Sequence, residues 1–104
     1  MEINWTESAK NDLKEFKFIT KKSDPDEYIK ELVNNVKLLE DNKNLGKVYF
    51  YIKGYIIRQY IVEEHRIFYY EKDNIIHIVA VVHFKQDMKE IIKYIKKNFS
   101  KNKS

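Results

Sequence analysis

The sequence contains no cysteine, one proline and only two glycines among 104 residues. The absence of cysteine excludes disulfides, thiolate nucleophiles and cysteine-bound zinc. No HExxH or HxH pattern offers a metal site from histidine and carboxylates, so we expect no metal and no cofactor. No apolar run reaches the roughly 18 residues of a membrane span, because His77 and His83 interrupt the longest one. No basic segment followed by an apolar core opens the sequence, and we therefore expect a cytoplasmic protein with no membrane partner.

Arginine is the scarce cation of this sequence. Eighteen lysines accompany only two arginines, Arg58 and Arg66. The net charge of +4 permits an anionic partner but does not require one. Because lysine can supply general positive charge, an arginine in this background favours a planar, bidentate or buried role that lysine cannot fill.

The composition of the sequence is typical of a globular domain, with 43% hydrophobic and 14% aromatic residues. We assign residues 1–104 to a single domain, since the length suits one core and not two. Two helices are predicted after an N-terminal strand at Glu2–Trp5, and the second begins with an N-cap at Asp24, Pro25 and a glutamate at the third position. A last amphipathic helix is predicted after Asp87.

Between these helices the sequence predicts a sheet. Aromatic or alternating strands are expected at residues 47–53, 58–62, 66–71 and 75–84, the middle two separated by Glu63 and Glu64. In the last strand Ile76, Ile78, Ala80, Val82 and Phe84 alternate as one apolar face, which we expect to meet the helical hairpin. The predicted class is α+β: an N-terminal strand and helical hairpin packed on a mostly antiparallel sheet of about four to five strands, with a C-terminal helix.

Two segments carry a resemblance to a known family. The opening INWTESAKNDLKEF is similar to the strand, Trp-Thr, Ala and Asp-Leu start of the RelE/ParE superfamily of toxins from type II toxin–antitoxin systems. The block IRQYIVEEHRIFYYEKDNIIHIVAVVHFKQD resembles that family's Ile-Arg, its Arg-Ile-x-Tyr strand, and its strand ending in Val-x-His before a basic residue and Asp.

The resemblance implies a toxin that a cognate antitoxin neutralises. The activity it favours is a metal-independent, ribosome-associated mRNA endonuclease that arrests translation. One alternative is a ParE-like inhibitor of DNA gyrase, which acts by binding and without catalysis. The other is a degenerate member that retains only antitoxin binding.

The resemblance also implies site residues. Arg66 matches the arginine of the Arg-Ile-x-Tyr strand, a phosphate contact in the ribonuclease members, and His83 matches a strand-end histidine that acts as acid or base. Lys85 stands where the family often has arginine and completes the implied catalytic set. The implied substrate-binding residues are Lys47, Lys53 and Tyr70. The general base is left open between His83 and the turn glutamates Glu63 and Glu64.

Each of these residues also has a structural alternative. For Arg66 it is an ion pair with a sheet carboxylate such as Glu71, and for His83 it is the end of a buried strand. Tyr70 would be a core residue, and the lysines would be solvated charge at a strand edge. His65, close to a turn, is expected to be exposed.

Overall fold

The computed structural model describes residues 1–19 and 24–102, which form five strands, three α-helices and one 3₁₀ helix. The strands are β1 (Glu2–Trp5), β2 (Lys47–Ile52), β3 (Tyr55–Val62), β4 (His65–Lys72) and β5 (Ile75–His83). The helices are α1 (Glu7–Ile19), α2 (Pro25–Val36) and α3 (Met88–Asn102), and a 3₁₀ turn at Lys37–Glu40 follows α2. The predicted element order is confirmed.

Side-chain capping fixes where α2 begins. Asp24 precedes the helix and accepts a hydrogen bond from the Glu27 backbone N–H at 3.2 Å. Pro25 occupies the first helical position, where its missing N–H costs no helical hydrogen bond. The predicted N-cap arrangement is therefore present.

The strands form one sheet in the order β1-β5-β4-β3-β2. Neighbours are antiparallel except for β1, which runs parallel to β5 and pairs with residues 75–78 only. Val62 pairs with His65, so Glu63 and Glu64 form a two-residue turn in which Glu63 has φ 51°. This turn fixes the register of β4 and hence the face on which Arg66 lies.

Helices pack on both faces of the sheet. Tyr28, Leu32 and Val36 of α2, with Ala9 of α1, pack on one face, which we call the hairpin face. Ile91, Ile95 and Phe99 of α3 pack on the other, which we call the α3 face. A small chain thus builds two apolar layers on one sheet.

The last strand departs from the alternation predicted for it. Ile76 and Ile78 do lie on the hairpin face, but Ala80 and Val82 pack with α3. The reason is a β-bulge: Phe68 pairs with Ala80 and Tyr69 with Ile78, so Val79 is an extra residue on β5. One inserted residue reverses the facing of everything after it. The prediction that Ala80 and Val82 meet the helical hairpin is wrong for this reason.

Beyond β1, side chains at the start of α1 satisfy the open edge of β5. The Thr6 hydroxyl donates to the Ile78 carbonyl at 2.7 Å, and the Ser8 hydroxyl donates to the Val79 carbonyl at 2.9 Å. These bonds replace the strand partner that the short β1 cannot supply.

Candidate functional site

Arg66 lies on the α3 face, near the first residue of β4. It pairs with Val82, which packs with α3. Its guanidinium donates to the Gln59 amide oxygen at 3.2 Å and to the Phe84 carbonyl at 3.0 Å. Its Nε is buried and finds no acceptor within the described part of the chain. Arg66 is therefore fixed between β3 and the residue that follows β5.

The ion pair considered for Arg66 is made by other residues. Glu71 lies 3.3 Å from the Lys43 ammonium, at the opposite end of β4. Arg66 also lies close to Tyr49: burial raises the pKa of the Tyr49 hydroxyl, the Arg66 charge opposes that shift, and the charge of Asp87 adds to it. Among the described residues no carboxylate forms an ion pair with Arg66, which therefore contributes positive potential to the α3 face.

His83 lies at the same end of the sheet but on the hairpin face. It pairs with His65, and the two rings meet edge to face at 5.5 Å. Its Nδ1 accepts the Lys85 backbone N–H at 3.2 Å, and its ring stacks on Phe84 at 5.1 Å. His83 is half-buried, and the Nδ1 acceptor role leaves its Nε2 as the ring nitrogen able to donate.

His65 is buried, with 3% of its surface exposed, so the expectation of an exposed residue is wrong. Its Nδ1 lies 2.6 Å from the Tyr28 hydroxyl of α2. Because the turn before it has only two residues, the ring already lies under the helical hairpin. The Tyr28 hydroxyl provides the hydrogen-bond partner that the buried ring nitrogen needs. This contact ties α2 to β4.

The structure does not bring Arg66 and His83 together. Adjacent strand residues point to opposite faces, and Arg66 follows His65 directly in β4. Because His65 pairs with His83 and Arg66 pairs with Val82, the histidine and the arginine lie on different sides of the sheet. Neither Glu63, which is exposed, nor Glu64 changes this separation, since both belong to the turn.

The remaining candidates are dispersed. Lys85 is exposed after β5. Lys47 and Lys53 are exposed at the beginning and just past the end of β2, the edge strand farthest from β5. Tyr70 is half-buried at the far end of β4, where it stacks on His77 at 4.9 Å and contacts Phe99 at 5.2 Å. Tyr70 also lines a cavity of about 290 Å³, and its role in substrate binding stays a prediction.

Sequence reasoning missed Asp12. Its carboxylate accepts the Val81 backbone N–H at 2.8 Å and the Tyr94 hydroxyl, so it joins α1, the open edge of β5 and α3. Burial raises the pKa of Asp12 to about 6, although both hydrogen bonds oppose that rise. A signal was available, because Asp12 falls within the apolar stripe of α1, three residues after Ala9 and one before Leu13.

Asp12 also borders a cavity of about 260 Å³ at this edge. Its other lining residues come from α1, β5, the loop that follows β5, and α3: Glu15, Val81, Val82, His83, Gln86 and Tyr94. His83 is the predicted site residue that it includes, and Arg66 is not part of it.

The element order and the sheet topology define the class of protein. The chain has the architecture of the RelE/ParE toxins, as the resemblance implied. Residues 3–88 match the family described as ParE toxin of type II toxin-antitoxin system, parDE. Since the match covers well over half of the chain, the protein belongs to the ParE toxin family. No curated protein matches the sequence closely enough to add a relative.

Membership of this family establishes the chain as the toxin of a type II toxin–antitoxin pair, with a cognate antitoxin as its partner. Within the described residues, no helix is both long enough and apolar enough to cross a membrane.

Proposed function

We propose that this ParE-family toxin arrests growth by binding and inhibiting DNA gyrase, the non-catalytic alternative, and not by cleaving mRNA. The observation that carries the proposal is the separation of Arg66 and His83 on opposite faces of the sheet. An inhibitor that acts by binding needs a surface, whereas a metal-independent nuclease needs its groups around one phosphodiester.

Cleavage of RNA requires a base for the 2′-OH proton, a cation on the phosphate and an acid for the leaving oxygen. All three groups must lie within hydrogen-bonding reach of the same phosphodiester. Arg66 could hold a phosphate on the α3 face, but His83 points to the other face. Lys47 and Lys53 lie at the two ends of β2, with β3 and β4 between that strand and β5. This arrangement favours binding over cleavage.

The surroundings of Arg66 suit a protein partner. Two large apolar side chains beside it are exposed: Ile61 by 56% and Phe84 by 39%. Ile61 pairs with Arg66, and the Phe84 carbonyl accepts a hydrogen bond from it. An arginine among exposed apolar side chains is the composition typical of protein interfaces, where such residues contribute most of the binding energy.

Two assays with purified protein test this function. We expect the toxin to block supercoiling of relaxed plasmid by gyrase, and Arg66→Ala to raise the concentration required at least tenfold. His83→Ala, on the opposite face, serves as the matched control and should change that concentration less than threefold. Circular dichroism confirms that both variants are folded.

The second assay supplies mRNA on ribosomes. If the toxin cut that mRNA while supercoiling proceeded normally, and both variants abolished the cut, the nuclease alternative would replace the present proposal. In cells, a gyrase inhibitor should lower plasmid supercoiling before protein synthesis falls. A gyrase target also implies that the toxin acts in the cytoplasm.

A further inference from the structure

The cavity that Tyr70 lines lies at the opposite end of β4 from Arg66. Its volume of about 290 Å³ is close to the lower limit for small-molecule sites, which is about 300 Å³. Five elements contribute to its walls, through Asn4 of β1, Tyr55 of β3, Tyr70 of β4, His77 of β5 and Phe99 of α3. A cavity assembled from so many elements is a fixed feature of the fold.

Aromatic rings form the apolar part of this cavity. The Tyr70 ring stacks on His77 at 4.9 Å, and it lies 5.1 Å from the Tyr55 ring and 5.2 Å from Phe99. Burial lowers the pKa of His77, so its ring is neutral at physiological pH. Neutral rings gathered in this way offer stacking surface to a planar ring system, as in proteins that hold nucleobases.

Asn4 adds hydrogen-bonding groups in a fixed orientation. Its amide nitrogen donates to His77 Nδ1 at 3.0 Å. That hydrogen bond uses one of the two amide N–H groups and orients the side chain, so the second N–H and the carbonyl oxygen can meet a ligand. Such a donor and acceptor pair is complementary to N7 and the N6 amino group of adenine.

Charges of both signs stand in the turn that borders the cavity. Lys72 ends β4 and Asp73 follows it, and both side chains are exposed. The Lys72 ammonium lies 5.8 Å from the centre of the Tyr55 ring, which places it beside the aromatic rings. A lysine can bind a phosphate, and a carboxylate can accept hydrogen bonds from ribose hydroxyls. The cavity therefore provides groups for all three parts of a nucleotide.

We propose that this cavity is a binding site for a mononucleotide, whose base lies among the aromatic rings. Asn4 pairs with the edge of the base, Asp73 accepts from the ribose, and Lys72 binds the phosphate at the mouth of the cavity. The inference does not rest on gyrase as the target, because Arg66 lies at the other end of β4. It makes Tyr70 part of a nucleotide site that is separate from Arg66 and His83.

Calorimetry with the full-length toxin tests the ligand class, with adenosine 5′-monophosphate (AMP) as the probe. We expect AMP to bind with a Kd below about 1 mM. Adenosine lacks the phosphate and ribose 5-phosphate lacks the base, so each should bind at least threefold more weakly than AMP. Equal binding of ribose 5-phosphate and AMP would contradict the stacking of a base in this cavity.

Lys72→Gln tests the phosphate contact at a fully exposed side chain. We expect it to weaken AMP binding at least threefold and to leave adenosine binding unchanged, because adenosine has no phosphate. Lys89→Gln makes the same change of charge at an exposed residue near the start of α3. It is the matched control and should alter the binding of neither compound.

Asp73→Gly tests the ribose contact. Asp73 has φ 54°, which glycine adopts without strain, so the turn should be preserved. We expect the wild type to bind AMP at least threefold more tightly than 2′-deoxyAMP, and Asp73→Gly to lose that preference. A preference that survived in the variant would contradict the role of Asp73.

Backbone amide resonances in NMR spectra locate the site. Saturating AMP should shift those of Thr6, Tyr70 and His77 and leave those of Arg66 and His83 unchanged. The inference would be overturned by a Kd for AMP above about 1 mM, or by shifts confined to the Arg66 end of the sheet. A single-stranded RNA that bound the same residues at least tenfold more tightly than AMP would overturn it too, by making RNA the occupant. None of these readouts depends on the supercoiling assay, so either proposal can fail while the other stands.

Discussion

Gly46 shows how one residue without a side chain can hold three segments together. Its N–H donates to the Tyr69 hydroxyl at 2.8 Å, and that hydroxyl donates to the Lys43 carbonyl at 2.8 Å. Arg58, the other arginine of the chain, donates to the Gly46 carbonyl at 2.9 Å and so has a structural role. A Cβ on Gly46 would lie 2.7 Å from the Gln59 carbonyl oxygen and 2.8 Å from the Tyr69 ring.

We therefore predict that Gly46→Ala lowers the free energy of unfolding by about 1–3 kcal/mol, the usual cost of forcing a group into a packed space. Urea denaturation measures it. Lys47→Ala, one residue further on and exposed, is the control and should stay within about 0.5 kcal/mol of the wild type. If Gly46→Ala were equally neutral, the close approach of β3 and β4 to this loop would be wrong.

At the scale of elements, Asp12 is the polar link between α1, β5 and α3, and its raised pKa gives that link a pH dependence. The folded pKa of about 6 exceeds the ordinary value of 3.8 for an aspartate, so the folded state holds the proton more tightly. The contribution of Asp12 to stability is therefore complete below pH 3.8, declines through the interval up to about 6, and is lost above it.

Asp12→Asn removes this titration while keeping an acceptor of similar shape. We predict that the wild type loses about 1–3 kcal/mol of unfolding free energy relative to Asp12→Asn between pH 4 and pH 7, since one pKa unit corresponds to about 1.4 kcal/mol. Urea titrations of both proteins at several pH values give the difference, in which the other titrating groups largely cancel. A difference independent of pH would contradict the assignment.

The elements themselves could be predicted, and their faces only in part. Helix caps and apolar stripes are local signals, and they place α2 and α3 correctly. The bulges at Tyr49 and Val79 carry no Gly or Pro to mark them, and they depend on how neighbouring strands pack. Because a single inserted residue reverses a face, the sequence could not predict which side of β5 meets the hairpin.

The same limit applies to the candidate site. The sequence could place Arg66 and His83 at one end of the sheet, because both flank neighbouring strand ends. Whether they share a face depended on the turn at Glu63 and on the register of β4 against β5, which are tertiary properties. Asp12 was within reach of sequence reasoning as a carboxylate in an apolar stripe, but its partners on β5 and α3 are about 70 to 80 residues away in the chain.

For the molecule as a whole, charge raises the question of whether attraction to an acidic partner is general or local. The chain carries a net charge of +4, from 20 cations and 16 anions, and this excess alone would attract any anionic segment. Salt screens charges over a Debye length of about 8 Å at physiological ionic strength, so lysines beside the bound segment should dominate the salt dependence. Lys47 and Lys53, at the two ends of the edge strand β2, are the lysines that an acidic segment lying along that edge would meet.

Matched charge reversals separate the two cases. Lys47→Glu and Lys30→Glu each lower the net charge from +4 to +2, and both residues are exposed, the first on β2 and the second on α2. We predict that Lys47→Glu weakens antitoxin binding and flattens the dependence of its affinity on salt, while Lys30→Glu leaves that slope near the wild-type value. Calorimetry between 50 and 500 mM salt, on the order of the range over which screening changes most, measures both slopes. Equal slopes for the two variants would mean that the whole molecule's charge, and not the β2 edge, attracts the partner.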